Sequence, residues 1–138
     1  LKQDDNNMGC DNYPGYLDKD CIYWWYDVPE FLDRLNTDAP AGYSDWRWAN
    51  VKELVSIVNY EQYDPAVSEA FNNGCVAGCT VESCSCVNTY EGYWSSTHYP
   101  YNSYFAYVVK HKDGWSSPAY NESPSLDLRS VLVVRGGL

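Results

Sequence analysis

The chain predicts an α+β fold, two helices packed on a small, mostly antiparallel sheet, and three observations carry that expectation. Two stretches of helical period with start signals stand early, strand-like runs rich in aromatic and β-branched residues stand late, and 138 residues suit one domain rather than two. The clearest element lies between Gly42 and Val58. Asn50 supplies a helix cap, and Glu53, three residues on, reaches back to the cap's own amide. Val51, Leu54, Val55 and Val58 then share one face of a helix that runs to about Asn59. Just ahead of it, Asp45, Trp46, Arg47 and Trp48 place two indoles and an opposite-charge pair within four residues, too much aromatic surface to leave solvated. The stretch reads as a corner of the core.

The other elements follow in chain order. Residues 1 to 21 are polar and acidic and read as an irregular segment. Ile22 to Tyr26 reads as a short strand; Asp27 then opens a helix with Pro29 in its first turn, Glu30 at the capping-box position, and Phe31, Leu32 and Leu35 on the buried face. Asn36 to Ala41 is a turn and Tyr60 to Pro65 a loop. Residues 72 to 88 carry four cysteines among glycine, serine and threonine and form a Cys-rich run with little apolar material to bury. Tyr93 to Thr97, Tyr104 to His111 and Ser130 to Arg135 read as strands. In the middle one Phe105, Tyr107 and Val109 face one way and Tyr104, Ala106 and Val108 the other, with a tight turn at Lys112, Asp113 and Gly114. Trp94 and Tyr107 are expected as core rings.

Charge narrows the partners. The formal net charge is -10, and residues 1 to 45 hold ten acidic side chains against Lys2, Lys19 and Arg34. Such a field repels phosphate backbones and anionic lipid and slows sulfated polysaccharides, so nucleic acid is not expected as a partner. No apolar run approaches the length of about 18 residues that a membrane-spanning helix needs.

Cysteine usage points to an oxidising compartment. Cys10, Cys21, Cys75, Cys79, Cys84 and Cys86 lack the knuckle spacing and neighbouring histidines of a zinc site, so disulfides are expected. The preferred pairing joins Cys10 to Cys21 and closes the other four within their own loop, with a direct Cys84 to Cys86 link least favoured for its strain. No cofactor or metal is expected. Asp4, Asp5, Asp11, Asp18 and Asp20 offer oxygen ligands in number, but the spacing of a calcium loop is absent; a solvated acidic loop is favoured, with calcium as the alternative.

Signals for catalysis are poor. With two histidines, no Gly-x-Ser-x-Gly elbow, no His-Glu-x-x-His pair and no phosphate-cradling glycine loop, no catalytic residues are assigned and no enzyme is expected. Binding is better supported. Fourteen tyrosines and six tryptophans exceed what a core of this size needs. Between residues 98 and 121 stand Tyr99, Tyr101, Asn102, Tyr104, Trp115, Tyr120 and Asn121 with several serines, on expected loops. Rigid amphipathic rings beside short hydrogen-bonding side chains are the vocabulary of recognition surfaces, so these seven are the candidate ligand residues, for glycan or for protein. Asp45, Trp46, Arg47, Glu53, Trp94 and Arg135 are expected to be structural, because half-buried charges usually pair. The alternative to recognition is a structural subunit that assembles into an oligomer or filament through the same rings.

Gly42-Tyr43-Ser44-Asp45-Trp46-Arg47 followed by Asn50-Val51-Lys52-Glu53-Leu54 resembles the signature of the Lcl C-terminal domain family. Tyr93-Trp94-Ser95-Ser96-Thr97 and the closing Val134-Arg135-Gly136-Gly137 resemble it further, in the family's order. The resemblance runs from about residue 22 to the end. It implies a C-type-lectin-like fold, akin to that of the formylglycine-generating enzyme, with long disulfide-tied loops, and a role in adhesion at a bacterial cell surface. It also implies a short strand ahead of Leu1, so the chain is expected to be a processed or partial product. Against that resemblance, Trp48-Ala49 stands where the family usually has Leu-Pro, and the Cys-rich run of residues 72 to 88 looks like an insertion.

Overall fold

A computed structural model describes residues 22–39, 42–73, 86–87, 89, 92–121 and 128–136. Among these residues are two α-helices and seven short strands: β1 (Ile22–Tyr23), α1 (Val28–Asp38), β2 (Trp46–Trp48), α2 (Val51–Ser56), β3 (Tyr93–His98), β4 (Phe105–Val109), β5 (Ser116–Tyr120), β6 (Arg129–Val131) and β7 (Val133–Arg135). The architecture is α+β, as the sequence predicts. Five strands form one sheet in the order β1-β6-β3-β4-β5, antiparallel except where β3 runs parallel to β6, and β2 with β7 forms a separate antiparallel pair.

Helix α1 does not start as expected. A 3-10 turn at Trp25–Asp27 feeds straight into it, so Asp27 has helical backbone angles and its side chain makes no cap bond. A capping side chain needs an extended backbone at that residue, and the preceding turn forbids it. Burial follows the expected face at Phe31 and Leu35 and adds Val28. The helix ends at Ala39, in the left-handed region at φ 46°, whose amide donates to the Leu35 carbonyl at 3.0 Å.

Helix α2 starts where the sequence places it. The Glu53 amide donates to Asn50 Oδ1 at 3.0 Å and the Asn50 amide donates to Glu53 Oε2 at 2.8 Å, a complete capping box. It stops at Ser56, short of Asn59, because the Asn59 amide turns to the Ala66 carbonyl and Val58 bridges to Val67. Leu54 is fully buried, and Val51, Val55 and Val58 pack at the edge of a cluster formed with Ala49, Tyr93 and Val109.

The expected last strand is two. Arg129–Val131 joins the large sheet and Val133–Arg135 leaves it to pair with Trp46–Trp48, so Leu132 is the point where the chain changes sheets. Ser116–Tyr120, expected as loop, forms the outer strand of the large sheet despite Pro118, which sits on its edge. Trp94 is fully buried in the main cluster with Val28, Phe31, Leu35, Trp48, Val108 and Val133, while Tyr107 is half-buried.

Several expectations lie outside the described residues. Residues 1 to 21, with the five aspartates, are among them, as is most of the Cys-rich insertion. Of the six cysteines only Cys86 is described, and it is not free; the other five, and with them the expected pairing, lie outside the described residues.

Removal of the α2 cap gives a direct test of this corner. Asn50→Ala should lower stability by about 1 kcal/mol, measured as a shift in denaturation midpoint at unchanged slope.

Candidate functional site

The motif residues assemble into one corner. Strands β2 and β7 pair Trp46 with Arg135, Arg47 with Val134 and Trp48 with Val133. The opposite-charge pair expected within residues 45 to 48 is not formed locally. Asp45 instead accepts from Arg135 Nε at 2.7 Å, and Arg47 meets Glu53 through both terminal nitrogens, at 2.9 and 2.5 Å. Asp45, just ahead of β2, is met by the closing strand, while Arg47 reaches the first turn of α2. Arg47 Nε also donates to the Gly136 carbonyl at 2.7 Å, and the Arg135 guanidinium lies 3.3 Å from the Tyr43 ring centroid.

Behind these ion pairs the indoles are buried. Trp48 Nε1 donates to the Trp94 carbonyl at 2.8 Å, and Trp94 Nε1 to the Tyr23 carbonyl at 3.1 Å. The Ser96 amide donates to the Ala49 carbonyl, and Thr97 Oγ1 accepts from the Val51 amide. The three sequence motifs are thereby joined through hydrogen bonds rather than merely stacked.

That frame holds out the β3–β4 hairpin, where most of the candidate ligand residues meet. The Tyr99 amide donates to the Phe105 carbonyl at 2.8 Å, and Asn102 Oδ1 accepts from the Tyr104 amide at 3.0 Å, so the loop is built by its own polar groups. Tyr101 stands 87% exposed and Tyr104 52%. Tyr99 packs edge-on against both Tyr101 and Tyr107, at 5.5 and 5.8 Å between centroids, and Tyr120 against Phe105 at 5.6 Å. The rings are therefore presented on a braced platform.

Two of the seven candidates do not belong to this cluster. Asn121 is buried, its amide nitrogen donating to the Ser103 carbonyl at 3.3 Å, so it ties the end of β5 to the loop. Trp115 lies at the other end of the hairpin pair: Phe105 pairs with Tyr120 but Val109 with Ser116, and β4 advances roughly 13 Å between these ends. Sequence proximity concealed the reversal. Trp115 instead neighbours Lys110, whose ammonium lies 5.3 Å from its ring; the turn there carries Lys112, beside Tyr63, and its Gly114 carbonyl accepts from Tyr60 Oη. Next to Tyr63 opens a cleft of about 340 Å³ lined by Gln62, Pro65, Val67, Glu69 and Asn72.

Sequence reasoning missed two members of the hairpin end. Trp25 packs against the His98 ring at 4.6 Å and against Trp48 at 5.1 Å, and Tyr26, 47% exposed, meets Trp25 edge-on. Their aromatic density was the available signal, but as an assumed strand it gave no reason to place them beside residue 98.

The comparisons bear on this geometry. A model of the Lcl C-terminal domain matches residues 3–132. The chain belongs to the Lcl C-terminal domain family. The match begins well before residue 22 and stops short of the closing Val134-Arg135, although β7 is integral to the corner in this Lcl C-terminal domain. No curated protein and no solved structure matches the chain. Among the described residues of the domain no helix is long and apolar enough to cross a membrane, and no group of three His, Cys, Asp or Glu side chains is placed to hold a metal ion.

Acid should weaken the corner in a defined way. Hydrogen bonds from Arg47 pull the Glu53 carboxyl down to about 2, against the opposing effect of burial. A carboxyl lowered in the folded state stabilises above its unfolded value of 4.5, and this stabilisation is lost as pH falls from there toward 2. Because the two side chains are 35% and 30% exposed, screening limits the effect to about 1 kcal/mol. Urea midpoints measured from pH 6 to pH 2.5 should show that loss in the native chain and a flatter profile in Glu53→Gln.

Proposed function

We propose that the chain is an extracellular recognition domain of adhesin type, a single C-type-lectin-like domain without catalytic role, that binds a glycan or surface protein through the end of the β3–β4 hairpin. The observation that carries this reading is the cluster of Tyr99, Tyr101, Tyr104 and Tyr120, exposed in part, with Tyr99, Tyr101 and Tyr120 held in edge-on ring contacts. Membership of the Lcl C-terminal domain family supports a place at the bacterial cell surface. Rings held in this way lose little conformational freedom on binding, which favours affinity. Tyrosine faces suit the apolar faces of sugars, and the exposed Asn102 lies between them in sequence. The acidic chain argues for neutral or weakly charged ligands over sulfated ones. The disulfides expected from the cysteine spacing suit the same oxidising setting.

A second reading, self-assembly into a surface filament, draws on one observation. Exposed aromatic surface stands at both ends of the β4–β5 pair, with Tyr60, Tyr63 and Trp115 opposite the hairpin cluster, and head-to-tail contacts need two different patches.

Replacing Tyr101 and Tyr104 together by alanine separates these. In a glycan and surface-protein binding screen the double variant should lose about 2 kcal/mol, roughly thirtyfold in affinity, with melting and mass by light scattering unchanged. Trp115→Ala should bind as the native chain does. An oligomer of the native chain that dissociates in either variant would instead establish the assembly reading.

A further inference from the structure

His111 is fully buried at the turn that follows β4, and its ring has no part in the hairpin cluster. Nε2 lies 3.0 Å from the Leu54 carbonyl of α2, and because a carbonyl only accepts, Nε2 carries the proton. The other nitrogen, Nδ1, is buried with no hydrogen-bond partner among the described residues. The ring also packs against Tyr93 at 4.9 Å. One imidazole thus joins α2, β3 and the turn.

The turn in its place holds the segment from Val58 to Val67. The Ala66 amide donates to the His111 carbonyl at 2.7 Å, the Asp64 amide to the Lys112 carbonyl at 2.8 Å, and Tyr60 Oη to the Gly114 carbonyl at 3.4 Å. Gly114 has φ +77°, and a Cβ there would meet Tyr60 Cε1 and Val58 Cγ1 at 2.6 Å, so segment and turn are in close contact. Tyr60 and Tyr63, each 71% exposed, ride on this segment.

We propose that His111 is a pH-sensitive latch: neutral, it holds the Val58 to Val67 segment against the turn, and protonated at mildly acidic pH it lets the segment go. Protonation puts a second N–H on the ring at Nδ1, where no acceptor stands among the described residues, and the strain is relieved by withdrawing the ring from Leu54. Neighbouring charges do not offset this. Helix α2 carries Lys52 and Glu53, the latter paired with Arg47; the segment carries Glu61 and Asp64, the latter 3.8 Å from Lys112; the turn carries Lys110, Lys112 and Asp113; β3 offers the Tyr93 ring. Among the described residues none of the carboxylates forms an ion pair with the imidazole.

Burial holds the His111 imidazole below the usual histidine range, with the Leu54 carbonyl acting the other way. For a base lowered in the closed state, the latch is fully engaged above the ordinary value of 6.5 and weakens as pH falls below it. The ratio of open to closed segment then rises by up to tenfold per pH unit.

Amide hydrogen exchange of the intact chain between pH 7.5 and pH 5, corrected for intrinsic rates, tests the latch. Protection of Asp64 and Ala66 should fall by up to about tenfold per unit below pH 6.5. The Ser96 and Ser130 amides, bonded to the Ala49 and Gly92 carbonyls, should hold their protection. His111→Gln, which keeps a donor for Leu54 but gains no proton, should abolish the dependence. A pH-independent native profile, or the same fall in His111→Gln, overturns the proposal. So does a ring-nitrogen titration of the native chain in which His111 titrates at 6.5 or above, a measurement that needs no variant to fold.

Discussion

The carboxylate of Glu53 holds together parts of the chain that are far apart in sequence. One oxygen accepts from the Asn50 amide and from Arg47, the other from Arg47 alone, while the Glu53 amide donates back to Asn50. Arg47 continues to the Gly136 carbonyl, 89 residues away. One charged group therefore starts α2, orients β2 and secures the closing strand. Charge-assisted bonds of this kind are shorter and stronger than neutral ones, and sharing an acceptor among three donors leaves little freedom in its placement.

The tryptophans extend that constraint into the core. An indole is large enough to fill the space between helix and sheet, but its N–H must find an acceptor when buried. Trp48 and Trp94 each find one on a different strand, which registers β2 against β3 and β3 against β1. The Trp48 indole gives the corner a hydrogen bond that an aliphatic residue at this position could not make.

A rigid corner suits a domain that presents loops. The β3–β4 hairpin projects rings from strands that pack against α2 and share the main core cluster with α1, so its tyrosines are positioned by strands that cannot easily shift. At the opposite end the turn around His111 is fastened by main-chain bonds and one buried imidazole, a lighter attachment. The two ends of the β4–β5 pair thus differ in how firmly their aromatic surface is held.

The sequence by itself determined the local features. The α2 capping box, the buried face of Phe31 and Leu35, the Trp94 core ring and the turn before Gly114 depend on residues a few positions apart, whose chemistry acts at that range. The hairpin tyrosines were legible for the same reason, being contiguous. Only the tertiary structure decided which charges pair, that Asn121 is buried, that Ser116–Tyr120 is a strand, and that Trp115 lies away from Tyr101. Each of these depends on strand register, which is set by packing between segments up to 90 residues apart and leaves no trace in local spacing.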